Sequence, residues 1–177
     1  MGKEEAILSV LAEIRDLLRG LRPAVEVSAG DEAVAAVLTR EHRSLEQLKY
    51  APDRMLKRSD GSFLDLYLLV YFRAPFFWSP VGSEEHSNWG EAEKYAKFFG
   101  RQPSRFELES LIDPTKSNPA LVPGALVLGL KLDDCYWTNE GVAGNPDFAR
   151  LVNLKHGGVN NFGKGYSMYV RPVRLSQ

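Results

Sequence analysis

Apolar residues near the start of the chain recur at three- and four-residue steps: Ile7, Val10, Leu11, Ile14, Leu17, Leu18 and Leu21. That spacing predicts a helix over 3–22 with one apolar stripe, weakened at Gly20 and stopped by Pro23. The stripe suits packing on its own domain or use as an oligomerisation or docking helix, and it is too short to read as a coiled coil. Asp31 can cap a second helix running to about Lys49, with Val34, Val37, Leu38, Leu45 and Leu48 on one side. After Pro52 the pattern predicts a strand at 54–57, a turn at Ser59-Asp60-Gly61, and a strand at Phe63–Phe72. Both alternating sets of Phe63–Phe72 are rich in apolar residues, so a buried helix would show similar residues. Pro75, Pro80 and Gly82 leave Phe76, Phe77 and Trp78 in a loop or at an edge.

Two helix starts carry a stronger signal. Asn88 and Glu91 stand at capping-box spacing, followed by a stripe of Ala92, Tyr95, Ala96 and Phe99 that Gly100 ends. Ser104 and Glu107 repeat the spacing, with Leu108, Leu111 and Ile112 inward and Pro114 as the stop. Beyond Pro114 helical periodicity disappears. Leu126–Leu132 reads as a short strand or compact loop, Tyr136–Thr138 and Arg150–His156 as strands, and Gly157-Gly158 as a turn. A last strand runs over Tyr169–Arg174, at an edge or with Pro172 where no ladder donor is needed. The expected core comprises Trp89, Tyr95, Phe99, Leu108, Leu111, Trp137, Val152, Leu154 and Val170, and Arg171 or Arg174 anchors the last strand.

Length and composition narrow the function classes. At 177 residues, 44% apolar and 25% charged, the chain suits one globular domain plus an appendage. We divide it into a helical segment at 1–50 and a ligand-binding domain at 51–177. A formal charge of −1 argues against global attraction to DNA or membranes. No apolar run spans a bilayer and the N-terminus lacks a signal-peptide layout, so a cytoplasmic protein is expected.

The single cysteine, Cys135, forms no internal disulfide or multi-cysteine metal cage, and no histidine stands near it in sequence. Nucleophile-elbow, phosphate-loop and dinucleotide motifs are missing, so no catalytic residue and no cofactor are expected. Asp133, Asp134, Asn139, Glu140, Asn145 and Asp147 offer hard oxygen ligands, yet their spacing matches no EF-hand loop. The expectation is a solvated acidic loop at 133–147, with no metal site.

Charge sorting is more informative. From Phe148 to Gln177 there is no acid, while Arg150, Lys155, Lys164, Arg171 and Arg174 are basic. Asn153, Asn160, Asn161, Phe162, Tyr166 and Tyr169 lie among them. Bases, amides and aromatics on a rigid sheet can stack on and hydrogen-bond to a ligand.

These residues also carry a resemblance. Trp89-Gly90-Glu91-Ala92 with Tyr95-Ala96, the run Arg101–Asp113, Tyr136–Glu140, Arg150–Leu154 with Gly157-Gly158, and Tyr169–Arg174 occur in one order. That order resembles the Lcl C-terminal domain family over roughly residues 54–174. The family belongs to the C-type-lectin-like fold shared with formylglycine-generating enzymes and with the variable proteins of diversity-generating retroelements. Gln102 and Pro172 depart from its pattern, the latter replacing a cysteine.

The resemblance implies an α+β, C-type-lectin-like binding domain whose C-terminal strands and loops meet the ligand. Formylglycine-generating chemistry needs paired cysteines and does not transfer to one, and the sugar-binding motifs of true C-type lectins are missing. The expected activity is non-enzymatic recognition of a protein or other macromolecule through Tyr136, Thr138, Asn139, Asn145, Asp147, Lys155, His156, Asn160, Asn161, Phe162, Lys164 and Tyr166. Residues 3–22 would form a homo-oligomer or meet a partner helix. One alternative is a polyanion, sulfated glycan or nucleic acid, on Arg150, Lys155 and Lys164; a second, disfavoured by the single cysteine, is an enzyme of the formylglycine-generating type. The asparagines among the surface positions also have the composition that retroelement diversification would give.

Overall fold

The computed structural model describes residues 45–72 and 76–175. The expected helix at 3–22 and most of the helix capped by Asp31 lie outside that range. The described chain is mixed α+β with two antiparallel sheets. Its elements are α1 (Leu45–Lys49), β1 (Met55–Lys57), β2 (Phe63–Asp65), α2 (Leu66–Phe72), β3 (Phe76–Trp78), α3 (Trp89–Lys97) and α4 (Arg105–Glu109). They are followed by a 3-10 turn at Pro123–Leu128, β4 (Cys135–Val142), β5 (Asn145–Asn153), β6 (Val159–Gly163) and β7 (Val173–Leu175).

The first sheet has the order β1-β2-β3-β7 and the second β4-β5-β6. The β1–β2 hairpin turns where Ser59-Asp60-Gly61 predicts, with Gly61 at φ 78. Both capping boxes form. Asn88 and Ser104 accept from the backbone N–H of Glu91 and Glu107, whose carboxylates reach back to the cap residues. Four orphan N–H groups are thereby satisfied at the starts of α3 and α4.

Several elements differ from the sequence expectation, each for a tertiary reason. The strand expected over Phe63–Phe72 ends at Asp65 and continues as α2. Asp65 turns the chain, because its carboxylate accepts from the backbone N–H groups of Tyr67 and Leu68 as a helix cap. Phe76–Trp78 is an interior strand, pairing with β2 on one side and β7 on the other. The strand that covers it arrives from the far end of the sequence, where local pattern gives no sign of the pairing. The last strand is shorter than expected. Tyr169 makes an isolated bridge to Tyr136, and Pro172 lends only its carbonyl, to Ser79 N–H. Phe99, expected inside, is exposed because α3 ends at Lys97. The expected core otherwise forms: Leu108, Leu111, Trp137, Val152, Leu154 and Val170 are buried, with Trp89 and Tyr95 partly covered.

Strand alternation divides the core. Tyr136 and Val152, paired across β4 and β5, face the larger cluster with Leu66, Leu68, Trp78, Leu108 and Leu128. Trp137 and Leu151 face the other way, onto Ala92 and Ala96 of α3 and onto Val170. The base of the second sheet is thus covered on both sides. Leu48 of α1 also joins the larger cluster, so the stretch just before residue 51 shares this core.

One polar network runs through the larger cluster. Arg54 and Asp65, both fully buried, pair side-on: Nε donates to Oδ1 at 2.7 Å and Nη2 to Oδ2 at 2.6 Å. Nη1 donates to the carbonyls of Lys49 and Ser110, and Nη2 also to Ser110 Oγ. All five guanidinium N–H groups therefore have acceptors. Asp65 also accepts from Trp78 Nε1 at 3.1 Å. Replacing Asp65 with Asn strands a buried charge, which costs roughly 3–5 kcal/mol. Denaturant unfolding of Asp65→Asn against the parent chain checks this; a loss below about 1 kcal/mol refutes it.

Candidate ligand-binding surface

The second sheet is anchored at one end and projects at the other. At the projecting end β4 and β5 meet through Val142 paired with Asn145, and the tight connection uses Gly144 at φ 76. That left-handed backbone favours glycine. Phe148, Phe162 and Tyr166 are exposed there, Tyr166 at 62%. Phe162 and Tyr166 meet edge to face at 5.6 Å.

The loop carrying Lys164 and Tyr166 is pinned on two sides. Lys164 N–H donates to Asp147 O, and Lys164 O accepts from Trp89 N–H. Lys164 Nζ sits 4.6 Å over the Trp89 ring, whose Nε1–H donates to Thr138 O. Trp89 opens α3, so helix and sheet hold this loop together.

Register decides which expected contacts share a face. Asn160 pairs with Leu151 and Phe162 with Ala149, so both belong to the α3 side. Asn161 pairs with Arg150 and belongs to the opposite side. Asn139, Asn145 and Asp147 are exposed on the projecting part of β4 and β5.

Tyr136 and Thr138, expected at the surface, are buried. Thr138 Oγ1 donates to Arg150 O and accepts from Glu140 N–H, while the Tyr136 hydroxyl accepts from Lys131 N–H at 2.7 Å. Lys155 and His156 stand beyond the other end of β5, whose nine residues span roughly 25 Å at a strand's rise per residue. There the Asn153 carboxamide accepts from the N–H groups of Lys155 and His156, and Gly157 follows at φ 74. One compact ligand contact cannot include both ends.

The basic C-terminal stretch is likewise dispersed. Arg150 pairs with Glu140 at 3.3 Å, Arg174 with Asp60 at 2.7 Å, and Arg171 is buried. The acidic positions scatter too. Asp134 pairs with His86 at 2.8 Å, and Glu140 accepts from Arg105 N–H at the start of α4. Among the described residues no group of three or more His, Cys, Asp or Glu could hold a metal ion. Cys135 is half-buried and accepts from Asn153 Nδ2; burial raises its thiol pKa and disfavours the thiolate.

Sequence reasoning missed Trp89 and Phe148 as members of the exposed end. Strand alternation around Ala149 carried a signal for Phe148, whereas only packing brings Trp89 to Lys164. Among the described residues no helix is long and apolar enough to cross a membrane. Neither a scan against models of protein families nor a search of curated proteins finds a match to this chain.

Burial pushes the Tyr136 phenol up from 10.0 to about 12. The unfolded chain then loses this proton first, so Tyr136 supports the fold below pH 10 and that support is lost as pH climbs toward about 12. Tyr136→Phe is expected to cost about 1 kcal/mol near neutrality, through the lost acceptor for Lys131, and to show a shallower alkaline fall. Parallel denaturation curves from pH 8 upward, on an axis chosen around the ordinary tyrosine range, test both; equal alkaline slopes refute the assignment.

Proposed function

We propose that this chain is a non-enzymatic binding module of C-type-lectin-like construction, related to the Lcl C-terminal domain family. It recognises a protein or other macromolecule through the projecting end of β4–β5–β6. The observation that carries this reading is the exposed Phe162–Tyr166 pair, held on a sheet whose base is buried on both faces. Rigid aromatics give contact area at small entropic cost, and the amides around them adapt their hydrogen bonds.

The contact surface contracts to Asn139, Asn145, Asp147, Asn160, Phe162, Lys164 and Tyr166. Asn161 lies on the opposite face of the sheet. Polyanion binding gains less support, because Arg150 and Arg174 already have carboxylate partners and Arg171 is buried.

The same partition supports a diversified binder. Asn139, Asn145, Asn160 and Asn161 are exposed and free to vary without disturbing the core, whereas Asn153 holds the turn after β5. Sequencing the gene's 3′ end across a natural population is expected to find substitutions at codons for the exposed asparagines and Tyr166. Trp137, Leu151, Val152 and Asn153 should stay fixed. Evenly scattered changes would refute diversification.

That the aromatic pair is free of the core is tested by the Phe162→Ala/Tyr166→Ala double variant, which should stay within about 1 kcal/mol of the parent in thermal unfolding. A loss of roughly 3 kcal/mol or more would assign the aromatic pair to the core rather than to a ligand.

A further inference from the structure

Among the described residues two arginines, Arg54 and Arg171, are buried, and their surroundings differ. Arg54 has an acceptor for every N–H, as described above. Arg171 is 3% exposed, and its Nε finds no hydrogen-bond partner among the described residues. The ionisable groups that act on its charge are the phenols of Tyr136 and Tyr95, not a carboxylate. Leaving a guanidinium buried without an anion is costly, and folds that retain one normally supply a counter-charge.

The surroundings are shaped for such a group. Two glycines flank the side chain. A Cβ on Gly82 would lie 3.5 Å from Nε, and one on the exposed Gly129 would lie 3.9 Å from Nη2. The guanidinium therefore ends beneath backbone that carries no side chain. Gly129 adopts φ 61 as it terminates the 3-10 turn, so this bare position is built into the backbone.

The acids on this side are engaged or at the surface: Asp134 pairs with His86, and Glu84 is exposed. The Tyr136 hydroxyl accepts from the N–H of Lys131, two residues past the Gly129 that lies against Arg171 Nη2, and its own proton remains to be donated. Tyr95 donates its hydroxyl proton to Gly82 O and so offers no counter-charge.

We propose that Arg171, with the Tyr136 hydroxyl, is a receptor for one carboxylate that enters over Gly129. A planar carboxylate matches the guanidinium fork and its single charge, with the phenol as an additional donor. The site is distinct from the projecting end of the sheet, because Tyr136 lies at the opposite end of β4 from Val142. The carboxylate comes either free, as a small organic acid, or on an acidic side chain of a partner.

The test follows the Arg171 Nε–Hε resonance in the full chain, assigned through bonds in the wild type so that the first readout needs no variant. Sodium acetate and a poly-glutamate peptide are titrated separately against sodium chloride of equal ionic strength. A saturable shift with acetate identifies a free carboxylate; a shift with poly-glutamate alone identifies a partner's side chain. Either result upholds the site, and Tyr136→Phe should then weaken binding roughly tenfold. No saturable shift with either probe, an equal shift with chloride, or unchanged affinity in Tyr136→Phe overturns it.

Discussion

The fold is organised around the carboxylate of Asp65. It ends β2, caps α2, holds the Arg54 guanidinium and receives the Trp78 indole proton. Through Arg54 the same charge pair reaches the end of α1 at Lys49 and the residue after α4 at Ser110. These groups have one arrangement in which every donor is met. A buried ion pair adds little net stability by itself, yet its geometry can specify how elements meet. Here it sets where the first sheet turns into helix and where two other helices end against it.

From that frame the second sheet is held on two sides. Tyr136 and Val152 enter the core that Asp65 organises, and Trp137 and Leu151 enter the smaller cluster under α3. Because strand residues alternate, one sheet serves both cores and has no free face at its base. At its other end, beside the start of α3, Phe162 and Tyr166 are exposed. The two ends consequently do different work. The anchored end carries buried aromatics and the Arg171 environment, while the projecting end supplies the proposed recognition surface.

Charge follows the same division. Three of the bases that cluster in the C-terminal sequence are taken up individually: Arg150 by Glu140, Arg174 by Asp60, and Lys164 by the face of Trp89. An excess along the sequence thus becomes a set of local pairings in space. The acids that supply them come from β4 and from the β1–β2 turn, outside the acid-free stretch.

Local chemistry made much of this legible from the residues alone. Asn88 and Ser104 announced two helices because a cap and its glutamate are only three positions apart. Gly61 and Gly157 marked turns because the backbone there needs a left-handed residue. Alternation placed Val152 and Leu154 inward. The α+β class was what the resemblance implied, and these local signals agree with it. What remained hidden depended on partners distant in sequence: Asp65 diverting a continuous apolar run into a helix, β7 arriving to make Phe76–Trp78 an interior strand, and register sending Asn160 and Asn161 to opposite sides. The sequence by itself determined the short-range elements, because caps and turns are decided within a few residues. Only the tertiary structure decided which aromatics are exposed and which arginine is paired, because burial and charge pairing depend on what the rest of the chain brings alongside.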